Sequence, residues 1–290
     1  MTGVKEIYAK INSIKNMQKI TKAMEMVAAS KMRQTQERIS KFSSYTTTMF
    51  RIINHVAQGN LEYHHSYIEK RKIKNVGYLI IFTDRGLCGA LNSNLLRLLL
   101  ISINKWTEKK VNYKLAFIGA KGFSLCNEKM NIVAHMNQLE QNLSITPLLI
   151  EPLKVLINLY NEKKIDIIYI LNNKFINLMS QIPQIIQLLP ISNFYLKDEK
   201  NIKKNKWDYL YESDAKILLS MLIDRYIETQ LYQKLIENSL CEQAARMLAM
   251  KTATDNGSRI INDLNILYNN VRQANITQEI IEIVSGAGAV

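Results

Sequence analysis

The sequence predicts an α/β protein in which long N- and C-terminal helices form an antiparallel coiled coil around an inserted α/β domain. Three observations predict it. Between Val4 and Ala57 there is neither glycine nor proline, and between Ser213 and Ser285 there is only Gly257. Both stretches repeat apolar residues at helical spacing, which places them on one stripe of a helix. The middle instead alternates short β-branched runs with helical patterns, and it holds all four prolines, Pro147, Pro152, Pro183 and Pro190.

The C-terminal stretch is the longer. Leu218, Leu222, Tyr226, Leu231, Leu235, Ala245 and Leu248 recur at helical spacing, and from Ile260 the pattern tightens to Ile260, Leu264, Leu267, Val271, Ala274, Gln278 and Ile281. That 4-3-4-3 alternation lays a narrow seam along a slightly underwound helix. Ser213 and Asp214 can cap its start, and Ser285-Gly286 can end it. A helix of this length spans about 110 Å, too much for one compact domain to cover. It needs a partner helix for part of the way and other cover for the rest.

The N-terminal stretch supplies the partner. Val4, Ile7, Ile11 and Ile14 make one seam, and Met32, Thr35, Ile39, Phe42, Thr46, Met49, Ile53 and Val56 make another. Met17, Ile20, Met24 and Val27 lie between, so the seam is expected to drift there as at a stutter. Antiparallel pairing within the chain is the simplest arrangement; a parallel coiled coil between two copies is the alternative.

In the middle, 76–83 reads as a buried strand and Asp84-Arg85-Gly86-Leu87-Cys88-Gly89 as a loop. A helix over 91–106, a strand over 113–119, a helix ending near Tyr160 and a strand over 165–171 follow, with an edge strand between Pro183 and Pro190. This alternation gives a Rossmann-like domain with a largely parallel sheet. The divisions are thus a helix over 1–57, the α/β domain over 76–190 and a helix over 207–290, with a basic linker at 58–75 and a Lys-rich loop at 191–206.

Bulk properties exclude several classes. With 47% hydrophobic residues the chain can bury a core, and no run of eighteen apolar residues could span a bilayer. Cys88, Cys126 and Cys241 are odd in number and far apart, without a CxxC, which suggests neither a disulfide frame nor a zinc site. His55, His64 and His65 lack acids at ligand spacing, so no metal is expected. The net charge of +13 could mark an anionic partner, yet the chain's wealth of Lys, Ile and Asn is also what A+T-rich codons supply. Gly86 and Gly89 form no GxGxxG, and GxxxxGK[ST], GxSxG and HExxH are all absent. No phosphate cradle or catalytic group is expected, and no cofactor.

The two ends carry a resemblance. The run from Lys19 to Met32, KITKAMEMVAASKM, resembles the N-terminal signature of the γ subunit of bacterial F-type ATP synthase. Thr83–Gly89 (TDRGLCG), Glu242–Met247 (EQAARM) and Arg272–Glu279 (RQANITQE) are similar to the same family, and the likeness runs from Lys5 to Val290. The resemblance implies a non-catalytic rotor shaft, turned by proton flow through the membrane ring inside a head of α and β subunits. It also implies the ε subunit and the membrane c-ring as partners, at the cytoplasmic face of a bacterial inner membrane, peripheral and held there only through the complex. Met24, Arg246, Gln273 and Thr277 would face the head; Tyr209 and Glu212 would lie near the membrane ring and ε. The cysteine-bearing regulatory insert of chloroplast members has no counterpart, so thiol control is not expected. A basic coiled coil that binds nucleic acid or an anionic membrane surface is the alternative.

Overall fold

A computed structural model describes residues 3–59, 66–67, 69, 71–125, 130–137, 151–191 and 215–287. Helix α1 runs over Val4–Gly59 and helix α5 over Ala215–Ala287. Between them come β1 (Asn75–Ile81), α2 (Leu91–Glu108), β2 (Asn112–Ile118), α3 (Ala120–Leu125), β3 (Ile132–Met136), α4 (Glu151–Asn161), β4 (Ile167–Phe175) and β5 (Gln181–Leu189). Elements α3 and β3 are additions to the sequence reading. Helix α3 is a single short turn holding Gly122, where a Cβ would collide with the Phe82 ring. Strand β3 is five residues long and carries a histidine, which leaves little period to read. The caps expected at Ser213 and Asp214, the loop at 192–206, and His64 and His65 lie outside the described residues. Helix α5 runs past Gly286 rather than stopping there.

The described chain divides into two compact units, Met1–Ser30 with Arg246–Val290, and Lys31–Ala245. In the second, the sheet order is β3-β2-β1-β4-β5, with β5 antiparallel to β4 and the other pairs parallel. Placing β1 between β2 and β4 is the doubly wound arrangement, and an antiparallel edge strand is common on such sheets. Pro183 sits on that edge strand, where no ladder N–H is lost toward a further neighbour. Side chains alternate across the sheet. Val76, Tyr78, Ile80 and Phe82 pack with Leu95, Leu99 and Ile103 of α2 on one face. Leu79 and Ile81 pack on the other with Leu153, Leu156 and Tyr160 of α4, with Ile223, Ile227, Leu231 and Leu235 of α5, and with Met49 of α1.

In the first unit the two long helices are antiparallel. Tyr8 meets Tyr268 with ring centroids 6.2 Å apart, while Gln18 reaches Ser258 and Thr254, and Thr21 reaches Thr254. Numbers fall along one helix as they rise along the other, so the chain supplies its own partner. The seam differs from the sequence reading on both helices. On α1, burial follows Val4, Ile7, Ile11, Ile14, Gln18, Thr21, Glu25, Ala28, Met32, Thr35 and Ile39, one unbroken 3-4 alternation with no stutter. Met17, Ile20 and Val27 are 57–61% exposed. The apolar pattern drifts in the sequence because polar Gln18, Thr21 and Glu25 hold three successive seam positions. On α5 the seam is Gly257, Ile261, Leu264, Tyr268 and Val271, one residue away from the expected Ile260 and Leu267, which face solvent.

Candidate partner-contact surfaces

The seam is closed at one end by Ile7, Ile11 and Ile261, with Ile14, Leu264, Tyr268 and Val271 packed against them. Next to this apolar clamp is a polar layer. Gln18 Nε2 donates to Ser258 Oγ at 2.6 Å and to the Thr254 carbonyl at 3.4 Å, and the Thr21 and Thr254 hydroxyls lie 2.8 Å apart. An open groove of about 370 Å³, lined by Lys15, Gln18, Lys19, Ser258, Ile261 and Asn262, runs beside it. Lys22 pairs with Glu25 at 3.0 Å on the same helix, which leaves Lys15 and Lys19 to give the groove its positive character.

Of the residues that the resemblance singles out, Met24 is half-buried, and Arg246 is 7% exposed, so most of its side chain is covered within the chain itself. Gln273 and Thr277 are exposed, and their spacing of four places them on one helix face. They sit on a free end. Helix α1 begins at Val4, and every residue of α5 from 272 to 287 is exposed. That is about 24 Å of helix that no other described element accompanies. It displays Ile276, Ile280, Ile281, Ile283 and Val284 at 47–71% exposure. The structure thus brings Gln273 and Thr277 together on this tip and leaves Met24 and Arg246 on the paired part. Tyr209 and Glu212 lie outside the described residues.

The loop after β1 is a locked turn. The buried Thr83 hydroxyl donates to the Arg85 carbonyl at 2.8 Å and accepts from Asn92 Nδ2 at 2.7 Å. Asp84 Oδ1 accepts the Ala120 N–H at 3.1 Å, at the first residue of α3. Gly89 has φ +61°, the left-handed conformation that a glycine takes without strain, and Leu87 holds φ +63° at a steric cost. Cys88, Leu91, Cys241 and Ala245, with Phe175 against them, fill the space where β1 and β4 end. In doubly wound sheets that space is the ligand crevice; here α5 plugs it. Burial and the nearby Glu237 push the Cys241 thiol well above its ordinary pKa, so it is held as the unreactive thiol.

A buried polar network that the sequence reading missed ties β4 to α5. Asn238 Oδ1 accepts from the Asn173 N–H at 3.2 Å and from Asn173 Nδ2 at 2.9 Å. Asn172 Nδ2 donates to Glu237 at 3.3 Å, Lys234 pairs with Glu237 at 2.9 Å, and the Cys241 thiol donates to the Asn173 carbonyl at 3.3 Å. The available signal was the pair Asn172-Asn173 interrupting an apolar strand. Among the described residues no group of three or more His, Cys, Asp or Glu could hold a metal ion, and no helix is long and apolar enough to cross a membrane.

The comparisons with known proteins agree on one family. Its model, described as ATP synthase, matches residues 3–290. Solved structures share the fold. A chain of the Euglena gracilis mitochondrial ATP synthase OSCP/F1/c-ring assembly in rotational state 3 superposes with a TM-score of 0.66 at 19% identity, covering 99% of this chain and 94% of that one. A chain of the Euglena gracilis ATP synthase rotor gives 0.61 at 20% identity, over 94% and 98%. One from the Tetrahymena thermophila mitochondrial ATP synthase central stalk and c-ring gives 0.57 at 21%, over 81% and 99%. With the family matched from residue 3 to residue 290 and the stalk fold present, the chain belongs to the ATP synthase γ family.

Proposed function

We propose that this chain drives the catalytic head through the paired helices and free tip of its first unit, and that it carries no catalytic group of its own. As a γ-family member it is the central rotor shaft of an F-type ATP synthase, coupling proton flow to ATP synthesis and hydrolysis. The observation that carries this reading is the family match across residues 3–290. Neither the family nor the fold relatives lend support to a nucleic-acid or membrane-surface binder.

The geometry suits the task. A shaft can force identical catalytic subunits into different states only if its faces differ, because a ligand that contacts every conformer alike shifts no equilibrium. The pair meets that condition: α1 bears the Lys15–Lys19 face and an exposed Met17–Ile20–Val27 stripe, while α5 continues beyond Val271 with every residue exposed. Met24, Arg246, Gln273 and Thr277 are proposed to meet the α and β subunits of the head, and Tyr209 and Glu212 the c-ring and ε. The Euglena and Tetrahymena relatives come from assemblies with a c-ring, which supports a membrane-peripheral placement. A bacterial inner membrane, cytoplasmic face, is the location proposed. The plugged crevice at Cys88 and Cys241 supports a non-catalytic role.

Affinity purification of the tagged full chain from its own cells tests the assignment. It should bring down a nucleotide-hydrolysing ring in fixed stoichiometry, with turnover leaving when the ring is stripped away. Recovery of the chain without the ring, or ATP turnover by the stripped chain, would overturn it.

A further inference from the structure

The carboxyl edge of the sheet carries a surface that the shaft reading does not use. Three segments meet the edge in order of the strands they follow: α3 after β2, the 84–90 loop after β1, and the hairpin joining β4 to β5. The hairpin tip is both apolar and rigid. Asn177 Oδ1 accepts the N–H groups of Met179 at 3.0 Å and Ser180 at 2.6 Å, and the Asn177 N–H donates to the Ser180 carbonyl at 3.2 Å. Gln181 Nε2 closes the turn on the Asn177 and Leu178 carbonyls. Phe175, at its base, is anchored against Cys88, Leu91, Cys241 and Ala245. This frame holds Ile176, Leu178 and Ile182 exposed, and Met179 is 81% exposed. Holding such side chains in water gains the fold nothing, whereas a partner that covers them gains apolar burial without an ordering cost.

The charge around the tip indicates what covers it. Arg85, Lys121 and Lys174 are exposed, and the side chain of Lys121 lies against Gly86. The segments 84–90, 120–125 and 174–182 contain one acid, Asp84, which accepts the Ala120 N–H. The surface is therefore an apolar knob among cations, and its complement is an apolar recess among anions.

We propose that the Ile176–Ile182 hairpin is a docking knob that seats in an apolar recess rimmed by carboxylates on a partner protein. Leu87, exposed and held at φ +63°, belongs to the 84–90 loop at the end of the neighbouring strand. A strained, exposed leucine is kept where a contact uses it. The knob is independent of the residues proposed to face the head, so it stands or falls separately from that assignment.

The test replaces Met179 with p-benzoylphenylalanine in the full chain and irradiates the complex purified with it. A cross-link to one partner protein, within a peptide that holds both apolar and Asp or Glu residues, is expected. Met179→Asp should weaken reassembly of the chain with its complex about tenfold or more, and Met179→Leu should leave it unchanged. The tip is exposed and outside the core, so circular dichroism of each variant should match that of the parent. No cross-link in the intact complex, a cross-link confined to lipid or to a peptide without acids, or normal reassembly by Met179→Asp overturns the proposal.

Discussion

At the scale of single residues, buried polar groups decide more than their number suggests. Asn238 accepts two hydrogen bonds from Asn173, and both residues are buried. Asn238→Ala leaves an amide N–H and a side-chain NH2 without an acceptor, so it should destabilise the chain by about 1–3 kcal/mol in urea unfolding. A loss below about 0.5 kcal/mol would mean that water replaces the lost acceptor. Tyr226 makes a pH prediction. Desolvation by burial pushes its phenol from the ordinary 10.0 up to about 12. Because the folded pKa is raised, stability is intact below pH 10.0 and falls as the pH rises from there to about 12, where the unfolded chain alone gives up its proton. Tyr226→Phe should flatten that alkaline decline, measured by denaturation at stepped pH; an unchanged slope would place the loss in another group. Met24 is half-buried on a helix that already carries Lys19 and Lys22. Met24→Lys adds a cation which, against an acidic partner surface, should resist rotation by on the order of 1–3 kcal/mol. Hydrolysis in the assembled complex should then be less tightly coupled to proton pumping, and normal coupling would count against Met24 as a head contact.

At the scale of elements, the long helices show how a seam can hide. A strict heptad survives on α1 because position matters more than side-chain type: Gln18 and Thr21 hydrogen-bond across the pair to Ser258 and Thr254 of α5. Gly257 belongs to the same layer. A Cβ there would sit 3.7 Å from Gln18 Cβ and 4.0 Å from Ile14 Cγ2, ordinary contacts both. Gly257→Ala should therefore raise stability by about 0.5–1 kcal/mol, because alanine loses less backbone freedom in a helix. Thermal unfolding reads it, and a lowered midpoint would show that the pair is tighter here than its geometry implies.

At the scale of the whole molecule, the free end of α5 is the part whose stability must come from elsewhere. Among the described residues no helix accompanies 272–287, which display isoleucines around their circumference, a pattern that calls for cover on several sides. In the isolated chain their amides should exchange with solvent quickly, and in the assembled complex they should be protected, as in an apolar sleeve with few directional bonds to break. Strong protection of this segment in the free monomer would show that the tip folds back on its own chain and needs no sleeve.

The two long helices, the strand–helix alternation and the overhang were legible in the sequence, because each rests on a period or a length that local chemistry sets. The long stretches without proline and nearly without glycine set the extent of the helices to within a few residues, and the lengths of 4–57 and 213–285 already implied that one outlasts the other. Which residues face inward was legible only in part: Val4, Ile7, Ile11, Ile14, Met32, Thr35 and Ile39 lie on the seam as expected, but the polar stretch between them and the register of α5 were not. Ile260 and Leu267 fit a heptad as well as Ile261 and Tyr268 do, and only the partner helix, by placing Gln18 and Thr21 opposite Thr254 and Ser258, selects one register. The same holds for the crevice at the end of β1. Local sequence leaves Cys88 in a loop that could have held a ligand, and the tertiary structure, by bringing Cys241 and Ala245 from far along the chain, fills it. Periodicity is a property of neighbours in sequence, whereas partner choice depends on groups whose separation along the chain carries no local signal.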